Sequence, residues 1–253
     1  MQDQFGRTID YLRLSVTDRC NLRCQYCMPE SGIEKQQHAN ILRNEDCIDL
    51  VKTMATLGVK KVRLTGGEPL VRKGLASMIE GLRQIEGIDE VTLTTNGLLL
   101  VDQLDDLKVA GLTRFNLSID SLNPETYQKL SRGGDLNMAL RGLEKALQLG
   151  MAPIKINVVL IKGINDHEVD AFLTAFDPSI EVRFIELMPI GEAATWNKEK
   201  FLNLNELLTK RSDLVPAAKH GNGGPCRYFK HTTTGRYVGI IRSEERRVGK
   251  ECR

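Results

Sequence analysis

What most constrains this chain is an alternation repeated six times. Short runs in which apolar and polar residues take turns are followed by stretches whose apolar residues recur three and four apart. The runs predict strands over residues 11–16, 61–66, 90–96, 114–120, 153–161 and 181–188. Between them the spacing predicts helices over 45–57, 75–85, 101–110, 138–149 and 166–176. Gly58, Gly87, Gly111 and Gly150 stand where a helix ends and the chain must turn left-handed. Strand, helix, strand at this pace is the signature of β/α units on a parallel sheet. Six units fit an open or partial barrel better than the eight-unit kind. At 253 residues the chain can bury the core that such a fold needs.

The strands are unusual in what they put on one face. A period of two groups Arg13 with Ser15 and Thr17, Arg63 with Thr65, and Thr92 with Thr94 and Asn96. It likewise groups Asn116 with Ser118 and Asp120, and Lys155 with Asn157. The opposite faces carry Leu12, Leu14, Leu64, Phe115, Leu117 and Ile119, which are fit to meet the helices. A packed barrel interior is filled by Val, Ile and Leu. A single polar face is what an edge strand shows to water, but five in succession predict a polar, ligand-filled lumen. Ligands of such folds bind at the carboxyl ends of the strands.

Three of the six cysteines, Cys20, Cys24 and Cys27, fall in the stretch "CNLRCQYC" directly behind the first strand. The N-terminus has no apolar core of an export signal, and no window approaches the ~20 apolar residues of a membrane span. The expected setting is therefore the cytoplasm, where thiols stay reduced and clustered cysteines point to metal or catalysis. Three thiolates do not close a four-coordinate zinc. A 4Fe–4S cubane held by three thiolates keeps one iron open to a further ligand. On spacing alone, a zinc site completed by a distant His or Cys, or plain structural cysteines, stand beside that reading. A net charge of +2 makes no case for nucleic acid, so an anionic ligand needs a local pocket of Arg and Lys.

Four further motifs fall at strand ends. In "TGGEPL", residues 65–70, paired glycines let backbone approach a ligand closely, and Glu68 is placed to take an ammonium group. The others are "TTNG" at 94–97, "LSID" at 117–120 and "ELMPIG" at 186–191. Elsewhere the expectations are ordinary. Cys47, Met54, Met78, Met138 and Met151 read as core, and Trp196 as an aromatic packed on the barrel. His38, His167, His220 and His231 show no ligand spacing.

In that order, "CNLRCQYCMP", "RLTGGEPL", "TTNG", "NLSID", "KINVV" and "ELMPIG" resemble the radical S-adenosylmethionine enzymes. Among these the chain is similar to the GTP 3′,8-cyclase family of molybdenum cofactor biosynthesis, from about Arg7 to Ile241. The resemblance implies an α/β fold, a partial (β/α)6 TIM-like barrel with a short C-terminal extension. It implies a barrel over 1–190, the start of a C-terminal region over 191–241 and an atypical tail over 242–253. Cys20, Cys24 and Cys27 would hold a 4Fe–4S cluster whose open iron chelates S-adenosylmethionine. Tyr26, Gly67, Ser118 and Met188 match positions beside that cofactor, and Arg13, Arg63, Thr94 and Lys155 match positions assigned to GTP. The implied chemistry is reductive cleavage to a 5′-deoxyadenosyl radical, loss of the ribose 3′ hydrogen and closure onto guanine C8. An electron donor and the next enzyme of the pathway follow as partners, with a homodimer as a further option.

The sequence departs from that family after Ile241. The family continues into a second cysteine trio, an Arg pair and a Gly-Gly tail, whereas this chain reads "RSEERRVGKECR", a charge run with a single Cys252. Cys226 in "GPCRYFK" has no partner at metal-ligand spacing. The expectation is a truncated chain with a non-native end, one cubane of about four irons, and impaired turnover of GTP. The competing readings are a radical enzyme acting on a peptide, and a non-catalytic zinc module. Arg13, Arg63 and Lys155 speak for an anionic nucleotide.

Overall fold

A computed structural model of the chain describes residues 2, 4, 6, 8–34, 36–37, 40–218 and 226–243. Arg7, His38, His220, Cys252 and residues 244–253 of the expected tail lie outside the described residues. In chain order the strands and helices begin with β1 (Tyr11–Ser15), α1 (Asn44–Thr56), β2 (Lys61–Thr65), α2 (Leu75–Arg83), β3 (Glu90–Thr95), α3 (Leu100–Val109) and β4 (Arg114–Ser118). They continue with α4 (Pro124–Ser131), α5 (Leu136–Gln148), β5 (Lys155–Leu160), α6 (Val169–Thr174) and β6 (Glu181–Glu186). The last are α7 (Leu204–Thr209), β7 (Leu214–Pro216), β8 (Arg227–His231) and β9 (Tyr237–Ile241). Among the described residues no helix is long and apolar enough to cross a membrane.

The chain forms two compact units. The first comprises Met1–Asn21, Ile33–Leu117 and Asn137–Ala152. Its strands β1 to β4 run parallel in chain order, in a register that sorts them by chemistry. Leu14, Leu64, Leu93 and Phe115 form one row across the four strands, and Arg13, Arg63, Thr92 and Arg114 form the next. Successive residues point to opposite faces, so one row goes under the helices and the other does not. Helix α1 buries Cys47 and Val51, α2 buries Met78, Ile79 and Leu82, and α3 buries Leu100, Leu104 and Leu107. Each has another buried residue three or four positions away on its helix, as an amphipathic stripe requires. Gly58, Gly87, Gly111 and Gly150 all have positive φ, as expected of helix ends.

The second unit comprises Leu22–Gly32, Ser118–Leu136 and Pro153–Arg253. Here β5, β6 and β9 run parallel, with β8 and then β7 added antiparallel in the order β5-β6-β9-β8-β7. Phe172 of α6 meets Phe184 of β6 edge to face, with centroids 6.2 Å apart. The helix expected over 166–176 is shorter. Asn165 is buried and receives the Ile161 backbone N–H at 2.7 Å while donating to the carbonyls of Asp120 and Val159. That brace holds the chain in a turn, so Asp166–Glu168 forms one 3₁₀ turn before α6. Trp196 packs against Leu130, Ile161, Leu187 and Ala193, and Cys47, Met78 and Met151 are buried, as expected. Met54 and Met138 are half-buried, and His167 is exposed. His231 is buried between Thr234 and Asp213. Arg242, the first residue of the charge run, is buried rather than solvated and donates to Asn205.

Among the described residues the largest fully buried side chain is a charged one. Arg236 is 0% exposed. Its guanidinium donates to the carbonyls of Leu173 (3.1 Å) in the last turn of α6 and of Asp177 (2.9 Å), Ile180 (2.6 Å) and Phe176 in the segment that leads from it to β6. Burial holds its pKa below the ordinary value, with Asp177 acting in the opposite sense. Removing it strands several buried carbonyls, each of which costs about 1–3 kcal/mol when unpaired. Arg236→Met is expected to lower stability by about 3 kcal/mol or more in urea unfolding, with far-UV circular dichroism of the folded protein unchanged.

Candidate active site

In the first unit, the arm that carries Cys20 is built on backbone contact. The Gly67 N–H donates to the Thr17 carbonyl at 2.7 Å, and the Glu68 N–H to the Arg19 carbonyl at 2.8 Å. A Cβ on Gly67 would lie 2.2 Å from the Arg19 oxygen, and one on Gly66 would lie 2.3 Å from the Thr17 oxygen. Gly66 also has φ +144°. Only glycine allows this approach. Glu68 does not offer its carboxylate to a ligand, contrary to the reading of "GGEP" above. It is 1% exposed and accepts from the N–H of Leu70 (3.0 Å), the Thr95 hydroxyl (2.7 Å) and the N–H of Asn96 (2.7 Å). Burial raises its pKa, and those three hydrogen bonds offset part of the rise. Asn96 in turn donates to Asn21 Oδ1 at 2.8 Å, and its amide nitrogen stands 3.9 Å from Cys20 Sγ.

In the second unit, Cys24 and Cys27 share one turn. The N–H groups of Cys27 and Met28 both donate to the Cys24 carbonyl, at 2.9 and 3.2 Å. The turn is seated on the C-terminal end of α4, whose carbonyls have no partner inside the helix. Arg23 N–H donates to the Ser131 carbonyl and Gln25 N–H to that of Leu130, at 3.1 and 2.9 Å. Arg132, which caps α4, returns its guanidinium to the carbonyls of Arg23 and Met28. Tyr26 packs against the Leu130–Leu187 cluster and donates to Asp120 Oδ2 at 2.7 Å. Asp120 also accepts from the Val159 N–H at 2.9 Å. Its burial pushes its pKa up to about 6, against the pull of those two donors. Burial also raises Tyr26 and Cys27, and Asp120 adds to both. Gly191 of "ELMPIG" comes close to the Cys27 carbonyl, 3.6 Å from where its Cβ would stand.

The polar strand faces are occupied as the alternation predicts, and several members are buried. In the first unit Arg13 and Arg63 stand in register on neighbouring strands, with Arg13 exposed and Arg63 half-buried. Like charges placed opposite each other destabilise a strand pair, so the pair is suited to an anion. Arg63 Nε donates to Thr92 Oγ1 at 3.2 Å, and its guanidinium lies 5.5 Å over the Tyr11 ring. Thr94 is in register with Asn116, which is 2% exposed. Among the described residues the buried Asn116 Oδ1 and Arg114 Nη1 have no hydrogen-bond partner, although Arg114 Nε pairs with Glu90. In the second unit Lys155 is buried and paired with Glu181 at 2.8 Å, and Glu181 also holds Arg183. Arg183 donates on to Tyr228 Oη at 2.6 Å. Asn157, in register with Arg183, has a buried Oδ1 with no hydrogen-bond partner among the described residues.

The expected residues therefore divide between the units. Cys20, Arg13, Arg63, Gly67 and Thr94 belong to the first, and Cys24, Tyr26, Cys27, Ser118, Lys155 and Met188 to the second. Ser118 ends β4 and is half-buried, as is Met188. Among the described residues no three His, Cys, Asp or Glu side chains stand together as a preformed metal site. Cys20, Cys24 and Cys27 are all free of disulfides. The alternation stopped one strand short: Glu181 and Arg183 continue the polar face on β6, and the same period of two finds them.

Residues 14–176 match the sequence profile of the radical SAM superfamily. A GTP 3′,8-cyclase of Alkaliphilus metalliredigens is 50% identical over 243 residues, covering 95% of this chain and 75% of that protein. One from Pelotomaculum thermopropionicum is 45% identical over 257 residues, covering 100% of this chain and 79% of that protein. Among solved structures, Streptococcus suis SuiB bound to S-adenosylmethionine is similar at a TM-score of 0.62 and 18% identity, over 79% of this chain and 47% of that one. Methylornithine synthase is similar at 0.58 and 17% identity, over 79% of this chain and 61% of that one. This chain thus spans about three quarters of its sequence relatives, and less than two thirds of either solved structure.

The raised carboxyl of Asp120 has a pH signature. Well below about pH 4 it is protonated in folded and unfolded chains alike, so burying it carries no charge. As pH rises to about 6 the unfolded chain ionises first, so folding loses stability across that window. Glu68 is shifted in the same direction, so the contrast must be made between proteins. Urea unfolding of the cluster-free protein from pH 4 to 7 is expected to show a shallower decline for Asp120→Asn than for the parent.

Proposed function

The chain belongs to the radical SAM superfamily and, within it, to the GTP 3′,8-cyclases, and on that premise we propose that it joins the ribose 3′ carbon of GTP to C8 of guanine in the first step of molybdopterin biosynthesis. The family's cofactors are a 4Fe–4S cluster and S-adenosylmethionine. The residues present fit them: three thiols within eight residues, none in a disulfide and all soft ligands suited to iron–sulfur chemistry, and, in the first unit, a backbone approach at Gly66 and Gly67 that any Cβ would fill. Cys20, Cys24 and Cys27 would hold the cluster, which with S-adenosylmethionine supplies one-electron cleavage of a sulfonium and so a carbon radical. Everything else is the work of the chain, which binds, orients and excludes water.

Gly67, backed onto Arg19, presents bare backbone to the amino-acid end of S-adenosylmethionine, with Tyr26, Ser118 and Met188 as its other contacts. Tyr26 reaches this position by its bond to Asp120, which fixes the ring between two ligand cysteines. Arg13, Arg63, Thr94 and Lys155 take GTP. The observation that supports this most is the first unit's polar row, in which two in-register arginines lie beside the unpaired Arg114 Nη1 and Asn116 Oδ1. A phosphate chain satisfies such a row through charge-assisted, often bidentate bonds. Lys155 reaches GTP from within its pair with Glu181, so it acts as one member of a Lys155–Glu181–Arg183 group rather than as a lone cation. The pattern disfavours a peptide substrate, which offers no triphosphate, and the open three-thiol set disfavours a structural zinc. A one-electron donor, the next enzyme of the pathway and a second copy of the chain complete the proposed partners, in the cytoplasm.

The test is anaerobic. With reconstituted protein, dithionite, S-adenosylmethionine and GTP, the expected product is the cyclised nucleotide. Arg63→Ala is expected to weaken GTP binding about 10-fold or more, the worth of one charge-assisted bond, and to leave S-adenosylmethionine binding in place. Cys24→Ser is expected to lose the brown cluster absorbance. Conversion of a peptide without any reaction of GTP would move the protein to another branch of the superfamily.

A further inference from the structure

The cysteine arm of the first unit contains a group that the readings above leave unused. Asn96 ends β3 in "TTNG", and every polar atom of its side chain has an assignment. Its Oδ1 receives the Leu98 N–H at 3.1 Å, which fixes which end of the amide is oxygen and which is nitrogen. One N–H of Nδ2 goes to Asn21 Oδ1 at 2.8 Å, next in sequence to Cys20. The nitrogen stands 3.9 Å from Cys20 Sγ, and sulfur is the acceptor that remains for its second N–H. Its backbone is held as well, since Asn96 N–H donates to Glu68 Oε2 at 2.7 Å. Glu68 is itself tied to the same arm, through its own N–H to the Arg19 carbonyl. A single buried carboxylate thus fixes the donor, and its backbone fixes the residue before the acceptor.

We propose that Asn96 is a positioning residue that directs an amide N–H at the Cys20 sulfur and thereby tunes a cluster held there. This rests on the reading of Cys20 as a cluster ligand. At 3.9 Å the contact to a neutral thiol is weak, but a thiolate is a far better acceptor and strengthens the same bond. Hydrogen bonds to ligand sulfurs are among the features that set iron–sulfur potentials, and they favour the reduced, more negative state. Partners that orient a metal's ligands affect retention of the metal by about 10–100-fold. Asn96 would thus make the cluster easier to reduce and slower to lose its iron.

Two variants separate this role from a purely architectural one. Asn96→Asp keeps the acceptor for Leu98 and the backbone donor to Glu68, yet removes both side-chain N–H groups. Asn96→Ala removes the acceptor too. The anaerobically reconstituted full chain is titrated with redox dyes under electron paramagnetic resonance, and iron release to a chelator is timed in the absence of substrate. Both variants are expected to show a lower midpoint potential, with Asn96→Asp the lower because it adds negative charge, and iron release about 10-fold faster. If Asn96→Asp matches the parent in both measurements, or only Asn96→Ala departs from it, the residue merely shapes the turn and the inference falls. A parent protein that takes up no iron would instead overturn the cluster reading on which the inference stands.

Discussion

The Glu68 carboxylate receives three hydrogen bonds from Leu70, Thr95 and Asn96, and the ordered end of the first unit is assembled around it. A buried carboxylate is costly unless each lone pair has a donor, and here the donors come from two segments, the loop after β2 and the end of β3. Satisfying it therefore locks the loop after β2, the end of β3 and, through backbone, the segment from Thr17 to Arg19. Gly66 and Gly67 make this possible, because a side chain at either position would hold the two backbones apart. Elsewhere in the unit, stability comes from apolar rows and helix stripes that many sequences could supply. This junction depends on particular residues.

The second unit reaches a comparable end by another route. Its cysteine turn borrows the unpaired carbonyls of a helix C-terminus, and its tyrosine is tethered to an aspartate that pays for burial with a raised pKa. The charges of its polar face are internal: Glu181 carries Lys155 and Arg183 together, while in the first unit Glu90 holds Arg114, and Arg13 and Arg63 stand in register on neighbouring strands.

Much of this was legible in the residues, because a period of two leaves little choice about faces. The row from Arg13 to Arg114 and the row from Leu14 to Phe115 follow from alternation once register is aligned. Helix α4 announces itself by Asn123 and Pro124, a cap and an N1 proline, but it has too few apolar residues to show a stripe. What was not legible depends on where side chains turn. "GGEP" names a glutamate without telling whether it faces ligand or interior, since that is set by the φ and ψ of the turn. Arg236 reads as a surface residue until four carbonyls converge on it, and those carbonyls lie about 60 residues away in the chain. The pairing of Lys155 with Glu181 requires the register of two strands, which no local pattern supplies. The antiparallel strands β7 and β8 were missed because runs such as "RYFKH" lack clean alternation.

Arg132 carries a consequence of its own. It is the one non-glycine residue with positive φ among those described, at +52°, and such a backbone costs about 1 kcal/mol or more for any side chain but glycine. Two glycines follow it at once. The chain keeps an arginine there because the guanidinium spans back to the carbonyls of Arg23 and Met28 on the cysteine turn. Backbone and side chain thus ask for different amino acids at one position. Drift toward glycine would relax the helix end and loosen the cysteine turn in the same step, so selection for stability and selection for chemistry pull against each other at residue 132.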